Sequence, residues 1–297
     1  MSTPRTLLVT GASGHLGRQA VEFLLARKAD TVIAGSRDPQ KLAALVGQGA
    51  QARALDFENP ETLPAAFAGV DRVLIVSTDA LDRPGRRLAQ HQAAINAAVK
   101  AGVQHIVYTS FVNAVPGSAV LINPDHQQTE AALAASPIGH TILRNNLYAE
   151  NLFGSLPHAF ASGQWFTAGA TGKAGFVTRK DAARAAAAAL ASAFTGTRTL
   201  DITGPELLTH GDIARIASEI VGRPLSHVPV DQPSLVAGMV KAGLPEPIAH
   251  VYASFDVALA KGEFAVASNA VQELTGQAPS TLRDFFIAHQ AALLGAS

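Results

Sequence analysis

The chain of 297 residues carries 23 basic and 23 acidic side chains, and 48% of its residues are hydrophobic, which is enough for one large domain or one and a half. Balanced charge argues against nucleic acid or anionic membranes as partners. The lack of cysteine excludes disulfides, thiolate metal sites and cysteine nucleophiles. No apolar signal segment precedes the first strand pattern, and the apolar stretch at 182–194 is too short for a bilayer, so we expect a cytoplasmic protein.

The first predicted element is an apolar strand at 7–9 that breaks into a glycine-rich turn. Glycines follow at three-residue spacing, and apolar residues at helical spacing then occupy 19–27. Glycine permits the tight turn and close approach of a pyrophosphate, which binds the N–H groups at the start of the helix. The pattern predicts a dinucleotide site, with phosphate-binding residues Gly11, Ser13, Gly14, His15, Leu16 and Gly17.

Strand and helix patterns alternate over the following residues. Strand patterns lie at 31–35, 51–55, 72–77, 105–110 and 140–144, and helical patterns at 39–47, 60–67, 86–101 and 125–135. Near-continuous β-branched runs are typical of strands that are buried on both faces of a parallel sheet. We therefore predict an α/β fold with a Rossmann-type doubly wound parallel sheet in residues 1–150, to which parts of 175–203 are added.

The second half of the chain has a different pattern. Shorter segments near 165–167, 178–194 and 199–202 extend or cap the first domain, and helical patterns follow at 211–221, 233–242, 247–261 and 281–294. We expect residues 151–297 to form mainly a smaller, helix-rich C-terminal lobe that covers the open edge of the sheet and contributes to a substrate cleft.

The residues after the second strand bear on the choice between NAD and NADP. NAD-binding proteins place an acidic residue there, whereas this chain has Ser36 and Arg37 about twenty residues beyond the glycine turn. A guanidinium binds a 2′-phosphate with two hydrogen bonds, and Ser36 adds a hydroxyl donor. Asp38 precedes a proline and is expected to cap the next helix. We predict NADPH as the cofactor; the alternative for Arg37 is a solvated surface cation.

Polar and aromatic residues close three further strands at the edge where ligands bind in such sheets. They are Asp56 and Phe57 near the adenine, Ser77 and Thr78 near the pyrophosphate and ribose, and Thr109, Ser110 and Phe111 near the nicotinamide. Each of them alone is equally compatible with an ordinary strand-end group.

Matching stretches along almost the whole chain point to one known superfamily. They include 9–17, 37–39, 90–98, 101–110, 126–130, 143–151, 168–172, 177–179, 243–247 and 261–262. On these residues the chain resembles the atypical short-chain dehydrogenase/reductase superfamily in its NmrA-like branch, and within it the type 2 NAD(P)H:quinone oxidoreductases and the triphenylmethane reductases. The resemblance implies bound NADPH, a cleft between two domains, and reduction of quinone-like or other conjugated acceptors.

The Tyr-x-x-x-Lys pair of typical short-chain dehydrogenases is absent, because none of Tyr108, Tyr148 and Tyr252 has a lysine four residues later. Where NmrA-like reductases often carry a lysine, this chain has His126. Quinone reduction needs no strong general acid, since the reduced product is a delocalised phenolate. His126 is therefore expected to bind the nicotinamide ribose or the acceptor oxygen and to donate a proton near neutral pH; the alternative is a histidine on the surface of its helix.

The other candidates for the substrate side follow the sixth strand. Asn145 and Tyr148 are expected to be catalytic residues together with His126, and Tyr148 lies on the cleft side in the family pattern. Asn145 or Asn146 is expected to position the carboxamide or a loop backbone; for these residues, capping and turn closure are an equally good alternative. The candidates for a flat acceptor pocket are Phe111, Val112, Phe153, Trp165 and Phe166. Arg83, Arg86 and Arg87 are interpreted as a solvated loop and helix start, and the alternative is that they screen the phosphate of the cofactor.

The favoured function is hydride transfer from NADPH to quinones or similar electrophiles, with the protein supplying binding and orientation. One alternative is a non-catalytic NADP(H)-sensing regulator, and another is a reductase of imines, enones or triarylmethane dyes. No metal is expected, because the histidines are not at ligand spacing. The sequence leaves a homodimer open.

Overall fold

A computed structural model describes residues 4–295, which form nine strands and twelve α-helices. The strands are β1 (Thr6–Val9), β2 (Thr31–Ser36), β3 (Gln51–Ala54), β4 (Arg72–Ile75), β5 (His105–Phe111), β6 (Gly139–Asn145), β7 (Gln164–Thr167), β8 (Thr197–Ile202) and β9 (Ser226–Pro229). The helices are α1 (His15–Arg27), α2 (Ala43–Gly47), α3 (Leu63–Phe67), α4 (Arg86–Ala101), α5 (Asn123–Ala135), α6 (Leu156–Ser162), α7 (Arg179–Ala191), α8 (His210–Val221), α9 (Gln232–Lys241), α10 (Glu246–Ala260), α11 (Ala270–Thr275) and α12 (Leu282–Ala288).

Seven strands form one parallel sheet in the order β3-β2-β1-β4-β5-β6-β8. The strand order reverses between β1 and β4, which leaves a crevice at their carboxyl ends, where ligands bind in doubly wound sheets. The prediction of a Rossmann-type parallel sheet is confirmed.

The sheet is buried on both faces, as the alternation along β1 shows. Leu7 and Val9 belong to the core formed with α1 and α7, whereas Leu8 belongs to the core formed with α3, α4 and α5. Successive side chains of a strand point to opposite faces, so one short apolar run supplies both layers.

The C-terminal part forms a separate core around aromatic side chains. Phe160, Trp165, Phe264 and Phe286 pack there with α8 and α12, and β7 pairs with β9 as a second, two-stranded parallel sheet. Helices α9 and α10 enclose a small apolar cluster of their own. By contrast, α7 and α11 pack in the first core and β8 extends the large sheet, so these segments lie with the dinucleotide-fold half.

Several predicted boundaries were wrong. Strand β4 ends at Ile75 instead of continuing to 77, because the N–H groups of Val76 and Ser77 donate to side chains and not to a neighbouring strand. The predicted helix at 60–67 begins at Leu63, and the one at 39–47 starts as a 3-10 turn. The helix predicted at 281–294 breaks at His289, whose φ of −126° is not helical. Three short elements were not predicted: α6, β9 and α11. Between residues 4 and 295 the structure contains no helix with the length and hydropathy needed to cross a bilayer.

Candidate active site at the carboxyl edge of the sheet

The glycine turn has the geometry that a phosphate site requires. Gly11 has a φ of +60°, which favours glycine, and a Cβ on Gly17 would lie 2.4 Å from the Gly11 carbonyl oxygen. Gly14 precedes α1, and neither a capping side chain nor an acidic residue occupies the first turn. The first N–H groups of α1 therefore face the crevice without a helical partner, and the helix dipole makes this point attractive to an anion.

The residues after β2 lie directly beside this turn. The Ser36 hydroxyl donates to Ser13 Oγ at 3.1 Å and also accepts from the Asp38 N–H. Asp38 Oδ1 accepts from the Gln40 N–H at 3.1 Å, which confirms Asp38 as a cap. Arg37 is exposed, and within residues 4–295 its side chain forms no hydrogen bond or ion pair. Its guanidinium is therefore available at the rim of the crevice.

The predicted residues at the next three strand ends have different surroundings. Half-buried Asp56 closes a turn by accepting from the Glu58 N–H at 3.0 Å, and Phe57 packs partly on the core. Ser77 is held through its N–H, which donates to Thr109 Oγ1 at 2.8 Å. The Ser110 side chain is directed toward α5, because its hydroxyl donates to Glu130 Oε1 at 2.6 Å. The hydroxyl proton expected near the nicotinamide is thus already used in an ion-pair network that Arg144 completes.

His126 lies in a buried polar cluster. Arg87 donates to its Nε2 at 2.8 Å, so the proton of the neutral ring is on Nδ1, which donates to the Tyr108 hydroxyl at 2.8 Å. The side chain is 2% exposed, and burial together with the nearby Arg87 cation lowers its pKa well below the ordinary value. A neutral imidazole with both nitrogens engaged can position neighbouring groups, but this arrangement argues against our expectation that it donates a proton near neutral pH.

Asn145 and Tyr148 form a pair at the end of β6. Asn145 Nδ2 donates to the Tyr148 hydroxyl at 2.8 Å, while Asn145 Oδ1 is buried and has no hydrogen-bond partner among residues 4–295. Burial raises the pKa of Tyr148 to about 12, and the guanidinium of Arg179 stacks 5.4 Å from its ring. An unpaired buried carbonyl oxygen is costly, so Asn145 Oδ1 marks a place where an N–H donor would be stabilised. Asn146 has a structural role, since it donates to the Phe264 carbonyl.

The aromatic candidates do not form one pocket. Phe111 contacts Phe255 and Phe264 edge to face, each with a centroid distance of 5.7 Å, and its other face lies against His126. Phe153 instead packs on Phe285, and Trp165 packs on His210 in the core of the C-terminal part. Phe111 is therefore the candidate that links the strand ends with the C-terminal core.

His91 and Tyr108 of the cluster were missed as functional candidates, and for Arg87 the solvated interpretation was preferred to a role near the cofactor phosphate. Arg87 was interpreted as solvated, but it is only 5% exposed. The signal was present in the spacing, because positions 87, 91, 94, 95 and 98 fall on one face of a helix, and that face is buried. Within residues 4–295, no three histidine, aspartate or glutamate side chains lie close enough together to hold a metal ion.

Comparison with known proteins gives consistent matches. A family model described as NAD(P)H-binding matches residues 11–193. Quinone oxidoreductase 2 of Escherichia coli (strain K12) is 32% identical over 94% of this chain and 96% of its own length. The structure of an Escherichia coli NADPH-dependent quinone oxidoreductase complexed with NADPH matches with a TM-score of 0.90 and 32% identity, covering 96% of this chain and 99% of that one.

A second solved structure matches with a similar TM-score and identity. Triphenylmethane reductase of Citrobacter sp., complexed with NADP(H), has a TM-score of 0.87 and 33% identity, covering 95% of this chain and 99% of its own. The resemblance to type 2 quinone oxidoreductases and triphenylmethane reductases is thereby confirmed.

Proposed function

The chain belongs to the NAD(P)H-binding family, and we propose that it is an NADPH-dependent reductase that transfers hydride to quinones or similar conjugated acceptors. The observation that carries this proposal is the glycine turn at the strand-order reversal, with the free N terminus of α1 directed at the crevice.

The residues present fit a dinucleotide. A side chain at position 17 would collide with the Gly11 carbonyl, so the turn must remain compact, and the N–H groups of the first turn of α1 are free to hold the pyrophosphate. Arg37 and Ser36 would hold the 2′-phosphate, since the guanidinium is unpaired and the Ser36 hydroxyl lies beside the turn. Asn145 Oδ1 would accept from the carboxamide, which supplies the missing donor. Phe57 and Asp56 would lie beside the adenine.

NADPH, when bound, supplies a hydride from C4 of the nicotinamide. Three candidate ring side chains of the site, Tyr108, His126 and Tyr148, have no proton that is readily released near neutral pH. Burial raises the pKa of Tyr148 to about 12 and raises that of Tyr108 further, while it lowers the pKa of His126. An acceptor whose reduced oxygen is a stabilised anion suits such a site, because solvent can protonate it later. The residues of this chain therefore bind and orient the cofactor and the acceptor.

A test begins with purified protein titrated with NADPH and followed by nucleotide fluorescence. NADPH oxidation is then measured with benzoquinone and naphthoquinone. We expect saturable binding and steady turnover with both quinones. Binding without turnover would instead support a regulator that senses NADP(H), and the lack of saturable binding would overturn both functions.

The similarity to triphenylmethane reductase favours a second candidate, reduction of a triarylmethane dye. Such a dye is a delocalised cation, and hydride addition yields a neutral product without a proton. The same site would therefore suffice, and a comparison of kcat/KM for the dye and for naphthoquinone decides which acceptor is preferred. The homodimer and the cytoplasmic location stay predictions.

A further inference from the structure

The backbone that follows β4 forms hydrogen bonds with side chains from α4, from β5 and from the residue after β1. The N–H groups of Val76, Ser77 and Thr78 donate to Thr10 Oγ1, Thr109 Oγ1 and His91 Nε2, at 3.0, 2.8 and 3.0 Å. The Thr78 carbonyl accepts from Arg87 Nε at 2.6 Å. No sheet partner constrains this segment, so its conformation depends on these side chains.

Helix α4 supplies both groups that hold Thr78. Arg87 and His91 are four residues apart and project from the same buried face, which continues with Ala94, Ile95 and Ala98. The face is thus polar only over the carboxyl edge of the sheet and apolar beyond it. This change in polarity places one donor and one acceptor against the two backbone polar groups of Thr78.

Hydrogen bonds in this cluster determine which ring nitrogen carries the proton in His91 and in His126. A backbone N–H can only donate, so His91 Nε2 must accept, and its Nδ1–H donates to Thr129 Oγ1 at 3.0 Å. His126 is held in the same tautomer by Arg87. Burial lowers the pKa of His91 to about 3, so the ring stays neutral and the acceptor on Nε2 is retained near neutral pH.

Within residues 4–295, no ion pair accounts for the burial of Arg87. Arg72 is also buried, but it donates to the carbonyls of Leu190 and Phe194 at the C-terminal end of α7, where a cation is stabilised. Arg87 instead donates to the Thr78 carbonyl, to His126 and, at 3.5 Å, to the carbonyl of Ile122 before α5. A buried cation is expensive, and it is retained here at the edge of the crevice.

Thr78 lies where a cofactor would pass. Val76 borders the glycine turn, since a Cβ on Gly11 would lie 3.6 Å from Val76 Cβ, and the crevice opens between β1 and β4. We propose that Arg87 and His91 are positioning residues that fix residues 76–78 as the wall of the NADPH crevice. This inference rests on the proposed function, because it concerns the same crevice.

The first test uses the protein without cofactor. Hydrogen–deuterium exchange is measured over residues 76–79 in the wild type, in His91→Leu and in His91→Gln. We expect the Thr78 amide to exchange at least about tenfold faster in His91→Leu, and to regain protection in His91→Gln, whose amide oxygen can replace Nε2. The matched control is His105→Leu, which removes an equally buried histidine bonded to Thr141 at the amino end of the sheet. Equal exchange in all four proteins would overturn the proposal.

The second test measures NADPH affinity by fluorescence titration, and turnover at saturating NADPH with benzoquinone. We expect His91→Leu and Arg87→Lys each to raise Kd about tenfold, while kcat changes less than about threefold, because the wall orders the bound cofactor and takes no part in hydride transfer. Arg87→Lys keeps the charge but loses Nε, so it remains informative if His91→Leu does not fold.

The results separate this inference from the proposed function. A wild type that fails to bind NADPH removes the proposed function and the inference with it. The inference alone is removed if the wild type binds NADPH and turns over while the Kd is unchanged in folded Arg87→Lys, His91→Gln and His91→Leu. A rise in Kd for His105→Leu as large as that for His91→Leu would show general destabilisation and would also overturn it.

Discussion

Acidification from pH 7 to pH 5 should destabilise this protein by several kcal/mol because of its buried histidines. Burial lowers the pKa of His91, His105 and His210 to about 3, and it lowers that of His126 as well. The unfolded chain binds protons at these positions below about pH 6.5. The folded chain does not, so folding stability is present above pH 6.5 and is lost as the pH falls toward 3.

The magnitude follows from linkage. Each histidine with a folded pKa near 3 lowers the free energy of unfolding by about 2 kcal/mol between pH 7 and pH 5, and three of them together by about 6 kcal/mol. Asp256 acts in the opposite direction, because burial raises its pKa to about 6. Its protonation raises the free energy of unfolding by about 1 kcal/mol between pH 7 and pH 5. The histidines therefore dominate, and the loss is comparable with the whole stability of a typical domain, about 5–15 kcal/mol.

Urea denaturation at pH 7, 6 and 5 measures this loss through the fluorescence of Trp165, with far-ultraviolet circular dichroism as a second probe. His105→Gln should reduce the loss by about 2 kcal/mol, since it removes one titrating group remote from the crevice. The matched control is His158→Gln on the exposed face of α6, which should leave the loss unchanged. A free energy of unfolding that stays constant between pH 7 and pH 5 would refute the reasoning.

Three further predictions concern the candidate site. Arg37→Glu should raise the KM for NADPH about 10- to 100-fold and leave the KM for NADH nearly unchanged. The same charge change in Lys41→Glu should alter neither KM. An equal rise in KM for both cofactors in Arg37→Glu would contradict the 2′-phosphate role. Gly17→Ala should abolish saturable NADPH binding and lower the free energy of unfolding by at least about 2 kcal/mol, because the backbone of Gly11 cannot move away from the added Cβ. The control is Gly47→Ala, since Gly47 has open space around it. An unchanged Kd for NADPH in Gly17→Ala would refute this account of the turn. His126→Gln should lower kcat/KM without changing its pH profile between pH 6 and 8, and loss of an ionisation in that range would identify His126 as the proton donor.

The glycine turn and the layered fold were predictable because their signals are local. Gly11, with its positive φ, and Gly17, which has no room for a Cβ, encode a turn that favours glycine, and the continuous apolar run at Leu7–Val9 encodes a strand buried on both faces. Asp38 as a cap follows from its neighbours in the chain in the same way. These features depend on residues within a few positions of one another, so the linear sequence contains them.

The chemistry of the site was decided by packing between distant segments. Arg87 and His126 are 39 residues apart, and only the contact between α4 and α5 makes the cation buried and the imidazole neutral. The direction of Ser110 toward Glu130 likewise depends on where α5 lies against β5. A pKa and a hydrogen-bond partner are set by what surrounds a group in space, through desolvation and nearby charge, and periodicity along the chain carries no record of either.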